Sequence, residues 1–530
     1  MKIKQAEEKD VIEIRDLFVK VYGPDYPFRE FYDTKWLTKS VYSDDTILMI
    51  AKDKDRIVAA GSVILTAGGL SDMVGEIGRL VVDTEYRRKG MGIQLSTALI
   101  NAASEMIQFA FGELRTVHLG SQKISEAGGV VPGVGLTGFE PLKYQLATRE
   151  SMVFFTILLE NALSLRKNNP HVIPSVYPLA AKSMENLQLS VDLIVEDGVD
   201  GYTTDKSFDA EELKSAGVSP LLRIERGRVK NPEVFGNLSL SYGFFKIATN
   251  QATYLVAKER GITLGAIGFT VDNIDKKVKV LELIEFDDEV KGFLLATLDK
   301  LSKEKYGAEY IEIDVSAYSP QIQKTLERLG FVAVAYCPAM VFRGVERLDV
   351  IRMAKLNVPP EVGDIKLTPK SREMFELVME SLEDRKIGLT IAETTRKVDI
   401  FQGLSDGELS QLARICKMVS YPAGKTISRE GETGKELFVL AEGKASVMNG
   451  KGEERTQIGT IGVGEIFGEM AIIEDLPRMA ELVADKDSKL VVIDRSELQN
   501  LMNRNHHLGK VVMENIARGL SRKLRRGKSL

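Results

Sequence analysis

The chain has 530 residues, 44% of them hydrophobic, and a formal net charge of −5. This length exceeds what one hydrophobic core supports and indicates several domains, while a charge this close to zero gives no general attraction to nucleic acid. Two distant cysteines, Cys337 and Cys416, argue against a disulfide framework or a metal site and favour a reducing cytoplasm. The charged N-terminus and the short apolar run at 152–159 predict neither a signal peptide nor a membrane segment.

Residues 1–150 alternate helix and strand signals, which is typical of an α/β domain. Apolar residues at helical spacing predict a helix over 11–23, and two strands joined by a charged turn follow at 46–69. The stretch 76–99 then reads EIGRLVVDTEYRRKGMGIQLSTAL, which indicates a strand, a basic loop and a helix opened by glycines.

This strand–loop–helix stretch predicts a site for an anion. Backbone amides at a helix N-terminus attract phosphate, and the neighbouring Arg87, Arg88 and Lys89 add positive charge. Because Gly90 and Gly92 have no side chains, a pyrophosphate could lie directly against the backbone.

The pattern Arg87-x-x-Gly90-x-Gly92 resembles the acetyl-CoA loop of the GNAT acetyltransferase family, R/Q-x-x-G-x-G/A, and the resemblance covers about 1–150. It implies acetyl transfer from acetyl-CoA to an amine, with the pantetheine arm paired to a strand edge and the pyrophosphate held by the loop. A purely structural strand–turn–helix is the alternative. The positions that the resemblance assigns to acetyl-CoA are Leu80, Val81, Val82, Arg87, Arg88, Lys89, Gly90, Met91 and Gly92.

Acetyl transfer requires the acceptor amine to lose a proton, so a base or a chain of waters is needed. Family members often use a glutamate on this strand, and Glu76 is the first candidate, although it could be an ordinary strand-end carboxylate. His118, after an apparent strand, is the second candidate or a structural histidine, and Tyr144 is a candidate general acid. The aromatic stretch 22–32 lines the acceptor site or belongs to the core.

Residues 151–360 predict a second, degenerate GNAT-like domain. The order of strand and helix signals over 244–345 repeats that of the first domain, although the residues differ. The strand VKVLELIEF is followed by DDEVKGFLLATL, which lacks the R-x-x-G-x-G pattern. We therefore expect this copy not to hold the pyrophosphate of CoA, but to shape the acceptor pocket or relay a signal.

Residues 361–397 predict a proline-containing connector and a helix. The sequence pattern changes after residue 397. Short strand-like runs separated by frequent glycines over 398–530 indicate a small β-barrel or jelly roll that ends in a helix. The predicted fold class is therefore tandem α/β (α+β) domains followed by a β-barrel.

Within this last part, residues 464–484 read GEIFGEMAIIEDLPRMAELVA. Gly468 allows backbone to approach a ligand, and a short helix starting at Glu469 would direct amides at an anion. Arg478 supplies a forked cation that suits phosphate, while Glu469 is an acceptor that suits a sugar hydroxyl. The set predicts a ligand with one phosphate and one free hydroxyl; an internal salt bridge between Glu469 and Arg478 is the alternative.

The same stretch resembles the phosphate-binding cassette of the cyclic nucleotide-binding domain family, which reads F-G-E-x-A, five residues, then P-R-x-A. The matched positions are Phe467, Gly468, Glu469, Ala471, Pro477, Arg478 and Ala480, with Met470 and Met479 at the variable positions. The resemblance covers about 398–530. It implies that Glu469 holds the ribose 2′-hydroxyl and Arg478 the cyclic phosphate. Met479 offers no hydroxyl to guanine, which favours cAMP over cGMP.

Together these features predict a cytoplasmic, acetyl-CoA-dependent N-acetyltransferase regulated by a cyclic nucleotide. The alternative is a non-catalytic cyclic nucleotide sensor or adaptor with an inert GNAT scaffold. No helix-turn-helix follows the barrel, so we predict no DNA-binding module. The sequence leaves open whether the acceptor is a protein lysine or a small amine, whether the nucleotide activates or inhibits, and the oligomeric state.

Overall fold

The computed structural model describes residues 1–23, 29–66, 73–128, 132–145, 148–214, 232–236, 252–273, 275–360, 365–404, 406–450, 455–470 and 477–527. The chain forms two compact units, Met1–Ser381 and Leu382–Leu530. Among the residues that the structure describes, no helix combines the length and apolar character needed to cross a bilayer.

The first unit is built on a long mixed sheet with helices packed against it. Its strands are β1 (Lys2–Gln5), β2 (Thr46–Asp53), β3 (Arg56–Thr66), β4 (Val74–Val82), β5 (Phe109–Arg115), β6 (Val134–Gln145), β7 (Thr148–Leu158), β8 (His171–Val172), β9 (Ile194–Val195), β10 (Asp209–Lys214), β11 (Thr253–Glu259), β12 (Ile262–Asp272), β13 (Lys277–Glu285), β14 (Tyr310–Ser316), β15 (Val332–Arg343) and β16 (Glu346–Leu356). Its helices are α1 (Val11–Tyr22), α2 (Thr34–Val41), α3 (Met91–Ala103), α4 (Gly120–Gly128), α5 (Glu160–Ser164), α6 (Tyr177–Asn186), α7 (Glu289–Glu304) and α8 (Pro320–Leu329).

The sheet of the first unit has 14 strands in the order β1-β2-β3-β4-β5-β7-β6-β15-β16-β14-β13-β12-β11-β10. When the last seven strands are read from the β10 edge inward, their order is β10-β11-β12-β13-β14-β16-β15. This is the same arrangement as β1-β2-β3-β4-β5-β7-β6 in the first half, with the last two strands exchanged in the same way. In both halves a single parallel pair, β4–β5 or β13–β14, interrupts otherwise antiparallel pairing. This shared topology supports the prediction of an internal repeat, although the predicted boundary at 150 falls within β7 of one continuous sheet.

The two halves of the sheet meet at β6 and β15. Ala335 pairs with Gly138 there, and the two strands approach so closely that a Cβ on Gly138 would overlap the carbonyl oxygen of Val334. Nearby, the buried guanidinium of Arg352 donates to Glu140 at 2.6 Å and to Asp314 at 2.8 Å, which joins β16 to a strand of each half. Since removing one partner of a buried ion pair is costly, this network fixes the register between the halves.

A 28-residue helix, α9 (Pro369–Arg396), contains the boundary between the two units. The second unit adds strands in two four-stranded sheets, with orders β17-β24-β19-β22 and β18-β23-β20-β21. Its elements are β17 (Cys416–Tyr421), β18 (Thr426–Ser428), β19 (Glu436–Glu442), β20 (Ala445–Asn449), β21 (Thr456–Ile461), β22 (Ile466–Phe467), β23 (Glu481–Ala484), β24 (Ser488–Asp494), α10 (Asp406–Arg414), α11 (Arg495–Arg504) and α12 (His506–Gly527). These two short-stranded sheets form the predicted jelly roll.

Candidate functional site

The strand β4 presents an open edge at the centre of the first half of the sheet. Its residues Val74–Glu76 pair in parallel with Phe109–Phe111 of β5, and within the described residues no backbone pairs with β4 on that side beyond Glu76. A bulge contributes to this divergence, because Arg79 and Leu80 together face the single residue Gly61 of β3. The backbone of Leu80–Val82 is therefore placed where the sequence predicts the pantetheine arm.

The basic loop follows this open edge directly. Arg87, Arg88, Lys89 and Gly90 are exposed, and Gly90 lies in the left-handed region with φ 76° as the residue before α3. The first amides of a helix lack partners within the helix, so those at Met91 and Gly92 can serve a ligand. The loop thus joins helix amides to three exposed cations, which is the arrangement that the sequence predicts for a pyrophosphate.

Glu76, the first candidate base, is held by a neighbour on its own strand. Arg79 lies at the bulge with φ 54°, and its Nη2 is 3.0 Å from Glu76 Oε1. The guanidinium is almost entirely buried, whereas Glu76 is partly exposed. The structure therefore places Glu76 at the mouth of the open edge, engaged with an arginine.

A second carboxyl, Glu30, shares the environment of this arginine, and the sequence did not single it out. It lies in the one-turn helix Arg29–Tyr32 and is partly buried. Burial raises the pKa of the Glu30 carboxyl above its ordinary value, and the charge of Arg79 opposes that shift. Its only signal in the sequence was its position in the aromatic stretch 22–32 that we placed at the acceptor site.

The neighbouring Tyr22 also reaches the open edge. Its hydroxyl donates to the carbonyl oxygen of Leu80 at 3.0 Å. Burial raises the pKa of this hydroxyl, and the charges of Arg115 and Arg87 oppose the shift. Tyr22 therefore ties α1 to the strand that would carry the cofactor.

The other two catalytic candidates are less well placed. His118 is exposed in the turn after β5, where its carbonyl oxygen accepts from the side chain of Gln122 at 3.3 Å. Tyr144 lies in the backbone of β6, and its side chain falls outside the described residues. Neither observation assigns these residues a chemical role.

Gln122 is fully buried and links the turn after β5 to the segment that precedes α9. Its Nε2 donates to the carbonyl oxygens of Arg115 at 3.1 Å and Lys366 at 2.8 Å, and its Oε1 accepts from the amide of Thr368 at 3.1 Å. The amide of Lys366 also donates to the carbonyl oxygen of Thr116 at 2.7 Å. The connector is therefore hydrogen-bonded to the end of the strand that borders the open edge.

In the second unit, Arg478 is a buried cation whose hydrogen-bonding capacity is not filled. Its Nη2 donates to the carbonyl oxygen of Glu436 at 2.5 Å, while Nε and Nη1 have no hydrogen-bond partner among the described residues. The guanidinium stacks over Phe438 and Phe467, with distances of 5.4 Å and 5.8 Å to the ring centroids. Burial lowers the pKa of Arg478, and the charges of Glu436, Glu432 and Glu469 oppose that shift.

Two glycines make room for this guanidinium. A Cβ on Gly434 would overlap Nε of Arg478, and a Cβ on Gly468 would overlap Nη1. Gly468 also has φ 88°, in the left-handed region that favours glycine. The two nitrogen atoms without partners among the described residues are therefore those that pack against bare glycine backbone.

The remaining cassette residues surround this position. Phe467 ends β22, Glu469 follows Gly468 and is partly exposed, and Ala480 is buried behind Arg478. Met470 and Met479 are exposed, so both could cover a ligand at the surface. Ala471 lies outside the described residues.

Comparison with known proteins identifies two domain families in the chain. A family profile described as "Cyclic nucleotide-binding domain" matches residues 418–505, and one described as "Acetyltransferase (GNAT) family" matches residues 11–119. The chain carries a GNAT domain and a cyclic nucleotide-binding domain. The two predicted families are thus confirmed, whereas neither match reaches the second half of the sheet, so the degenerate GNAT copy stays a prediction.

Two curated relatives are each similar to part of the chain. The chain is similar to a cAMP-dependent protein kinase regulatory subunit of Colletotrichum orbiculare, with 34% identity over 20% of this chain and 27% of the relative. It is also similar to the cyclic AMP receptor protein of Thermus thermophilus, with 33% identity over 24% of this chain and 57% of the relative. The match therefore spans about a quarter of the length of the kinase regulatory subunit and somewhat over half of the length of the cyclic AMP receptor protein.

Solved structures are similar to a comparable fraction of the chain, about a quarter of its length. The catabolite activator protein of Thermus thermophilus is 30% identical over 24% of this chain and 60% of that structure, with a TM-score of 0.23. A cyclic nucleotide-binding domain from Methylobacillus flagellatus is 26% identical over 27% of this chain and 80% of that structure, with a TM-score of 0.25.

Proposed function

We propose that the chain is an acetyl-CoA-dependent N-acetyltransferase regulated by a cyclic nucleotide, cAMP rather than cGMP. The observation that carries the regulatory part is the buried Arg478, whose Nε and Nη1 have no hydrogen-bond partner among the described residues. A buried cation with unfilled donors is costly, and a phosphate would satisfy it with charge-assisted hydrogen bonds. Both curated relatives are named for cyclic AMP, which supports the choice of ligand.

The acetyl-transfer part is supported by the open edge of β4, which leads into the glycine-containing basic loop before α3. In the proposed reaction, the acceptor nitrogen attacks the thioester carbonyl carbon, a C–N bond forms, and the C–S bond breaks to release the CoA thiolate. A base must take a proton from the amine. We assign this role to Glu30, because burial raises the pKa of its carboxyl and so strengthens it as a proton acceptor, and we assign Glu76 to the positioning of Arg79.

The acceptor is proposed to be an amine, and the regulatory input favours a protein lysine over a small molecule. We propose that the second half of the sheet is a degenerate GNAT copy that borders the first and supports its acceptor side. Tyr144 and His118 remain candidates for the general acid and for acceptor contacts.

Calorimetry with acetyl-CoA tests the proposal, using the wild type and Arg478→Ala with and without saturating cAMP. We expect acetyl-CoA to bind, and cAMP to shift its affinity or the rate of acetylation by roughly 5- to 150-fold in the wild type alone, the usual range of allosteric coupling. Binding of cAMP without binding of acetyl-CoA would instead support the sensor or adaptor.

The hydrogen bonds of Gln122 suggest the route of coupling. They connect the segment that leads into α9 with the turn after β5, and α9 continues into the cyclic nucleotide-binding unit. We therefore expect Gln122→Glu, which keeps the shape but loses the Nε2 donor, to reduce the effect of cAMP to less than about twofold. Affinities for acetyl-CoA and for cAMP should stay within about threefold of wild type.

The measurement is acetylation rate against cAMP concentration, with Lys123→Ala as the control on the adjacent exposed position of α4. An undiminished cAMP effect in Gln122→Glu would show that coupling does not pass through this segment.

A further inference from the structure

The second half of the first unit contains a wedge between two diverging parallel strands. β13 and β14 pair only through Lys277–Lys279 and Tyr310–Glu312, just as β4 and β5 pair over three residues. A bulge follows in β13 between Val280 and Glu282, on its β12 side. Diverging strands expose backbone donors and acceptors that need partners, so this wedge requires an occupant.

The chain itself supplies that occupant. Within the segment 232–236, Val234 pairs with Val315 of β14 in an antiparallel bridge. The amide of Phe235 donates to the Asp314 carbonyl oxygen at 2.9 Å, and the Ser316 amide donates to the Glu233 carbonyl oxygen at 2.9 Å. Val234 and Phe235 are each 3% exposed, as for residues of a central strand.

The segment 232–236 also contacts β13, the other strand that borders the wedge. Gly236 lies so close to β13 that a Cβ there would overlap the Cα and carbonyl oxygen of Leu281. The segment is therefore in contact with both diverging strands. In the first half, by comparison, no backbone among the described residues pairs with β4 beyond Glu76 on its β5 side.

A buried ionic anchor fixes the segment at the start of α7. Lys291, in the first turn of that helix, donates to Glu233 Oε2 at 2.8 Å and to the hydroxyl of Tyr202 at 3.1 Å. The Tyr202 hydroxyl lies 3.0 Å from each carboxylate oxygen of Glu233, and all three side chains are buried. A carboxylate thus lies near a helix N-terminus, at the position topologically equivalent to the basic loop of the first half.

We infer that the wedge between β13 and β14 is a peptide-binding site that is permanently occupied by residues 232–236 of the same chain. The backbone of Val234 supplies the strand pairing, and the Glu233 carboxylate supplies the anion at the helix start. An occupied wedge excludes an extended cofactor. The chain therefore binds one acetyl-CoA rather than two, a consequence that rests on the proposed function of the first half.

Engineered cysteines test the occupancy in the full-length chain. The two hydrogen bonds flanking Val234 and Val315 define a non-hydrogen-bonded antiparallel pair, for which the Cα atoms are about 4.5 Å apart, within disulfide range. Val234→Cys with Val315→Cys should therefore form an intramolecular disulfide on mild oxidation. Each single variant is the control. Burial raises the pKa of both native thiols, Cys337 and Cys416, to about 12, so they stay protonated at pH 8.

A second measurement on the wild type avoids dependence on folding of the variants. Hydrogen exchange should show the amides of Phe235 and Ser316 protected at least about 100-fold, as expected for paired buried amides. Exchange at the unprotected rate, or absence of the disulfide in a folded double variant, would overturn the inference.

Calorimetric stoichiometry separates this inference from the proposed function. One acetyl-CoA per chain supports both, and two per chain would overturn the occupied wedge. No binding at all would overturn the proposed acetyltransferase, while the cross-link and the exchange rates would still decide the occupancy.

Discussion

Arg478→Ala should weaken cAMP binding by roughly 150- to 5,000-fold, because loss of one partner of a desolvated, hydrogen-bonded charge pair costs about 3–5 kcal/mol. The side chain is buried against Phe438 and Phe467, and its Nε and Nη1 have no hydrogen-bond partner among the described residues. A phosphate would therefore find a desolvated donor pair already in place. Isothermal titration with cAMP is the direct measurement.

The effect of this substitution on the unliganded protein should be small. The substitution removes the hydrogen bonds of Arg478 Nη2 to the carbonyl oxygen of Glu436 and, at 3.4 Å, to its carboxylate, together with the packing on two rings, but it also removes a buried, incompletely paired charge. We expect the free energy of unfolding without nucleotide to change by no more than about 1 kcal/mol. At a cAMP concentration of 100 times the wild-type Kd, the free energy of unfolding of the wild type should rise by about 2.7 kcal/mol. That of Arg478→Ala should be almost unchanged at the same concentration.

Arg455→Ala is the matched control. Arg455 belongs to the same unit, is exposed, and forms a 2.7 Å ion pair with Glu481. Its removal should leave cAMP affinity within about twofold, because surface ion pairs contribute little. Equal loss of affinity in both variants, or strong cAMP binding by Arg478→Ala, would contradict the assignment of the phosphate site. Arg478→Lys should also bind weakly, since an ammonium cannot reproduce the planar fork.

The second large effect is expected from Glu30→Gln. General-base catalysis contributes about 10²- to 10⁴-fold, and we expect kcat to fall by that amount if Glu30 accepts the amine proton. The substitution keeps the size of the side chain and removes only its ability to accept a proton, so affinity for acetyl-CoA should be nearly unchanged. Rates at saturating acetyl-CoA and acceptor, with calorimetric binding of acetyl-CoA, measure both.

The pH dependence of kcat/KM distinguishes a base from a residue with a purely structural role, because removal of a structural residue would not shift the pH profile. Glu30 must be ionised to act, so kcat/KM should rise with pH through the pKa of Glu30, which burial raises above its ordinary value of 4.5. The midpoint of this acidic limb, the pH at which kcat/KM has fallen to half on the acidic side, should be higher than for an exposed carboxylate. The residual activity of Glu30→Gln should show no such fall.

Two other carboxylates serve as comparisons. Glu76→Gln breaks the ion pair with Arg79, and we expect a smaller loss with the acidic limb retained. Glu105 is exposed after α3, and Glu105→Gln should have no effect. Loss of the acidic limb in Glu76→Gln, with normal behaviour of Glu30→Gln, would instead return the role of base to Glu76.

Both candidate ligand-binding turns could be proposed from the sequence because each is made by contiguous residues. Arg87, Gly90 and Gly92 form one loop and helix start, and Gly468 and Arg478 lie ten positions apart in one stretch. In such sites the spacing of glycines and cations along the chain largely determines which amides and charges face a ligand. This is also why the two families were recognisable before any fold was known.

Only the tertiary structure placed Glu30 where the charge of Arg79 affects the pKa of its carboxyl, because the two residues are on different elements and neither carries a local signal. It likewise decided that both halves share one sheet through Gly138 and Ala335. The sequence showed that the second half lacks the loop motif, but it did not show that residues 232–236 fill the wedge. That outcome depends on strand divergence and on a backbone pairing across about 80 residues, which hydrophobic periodicity does not encode.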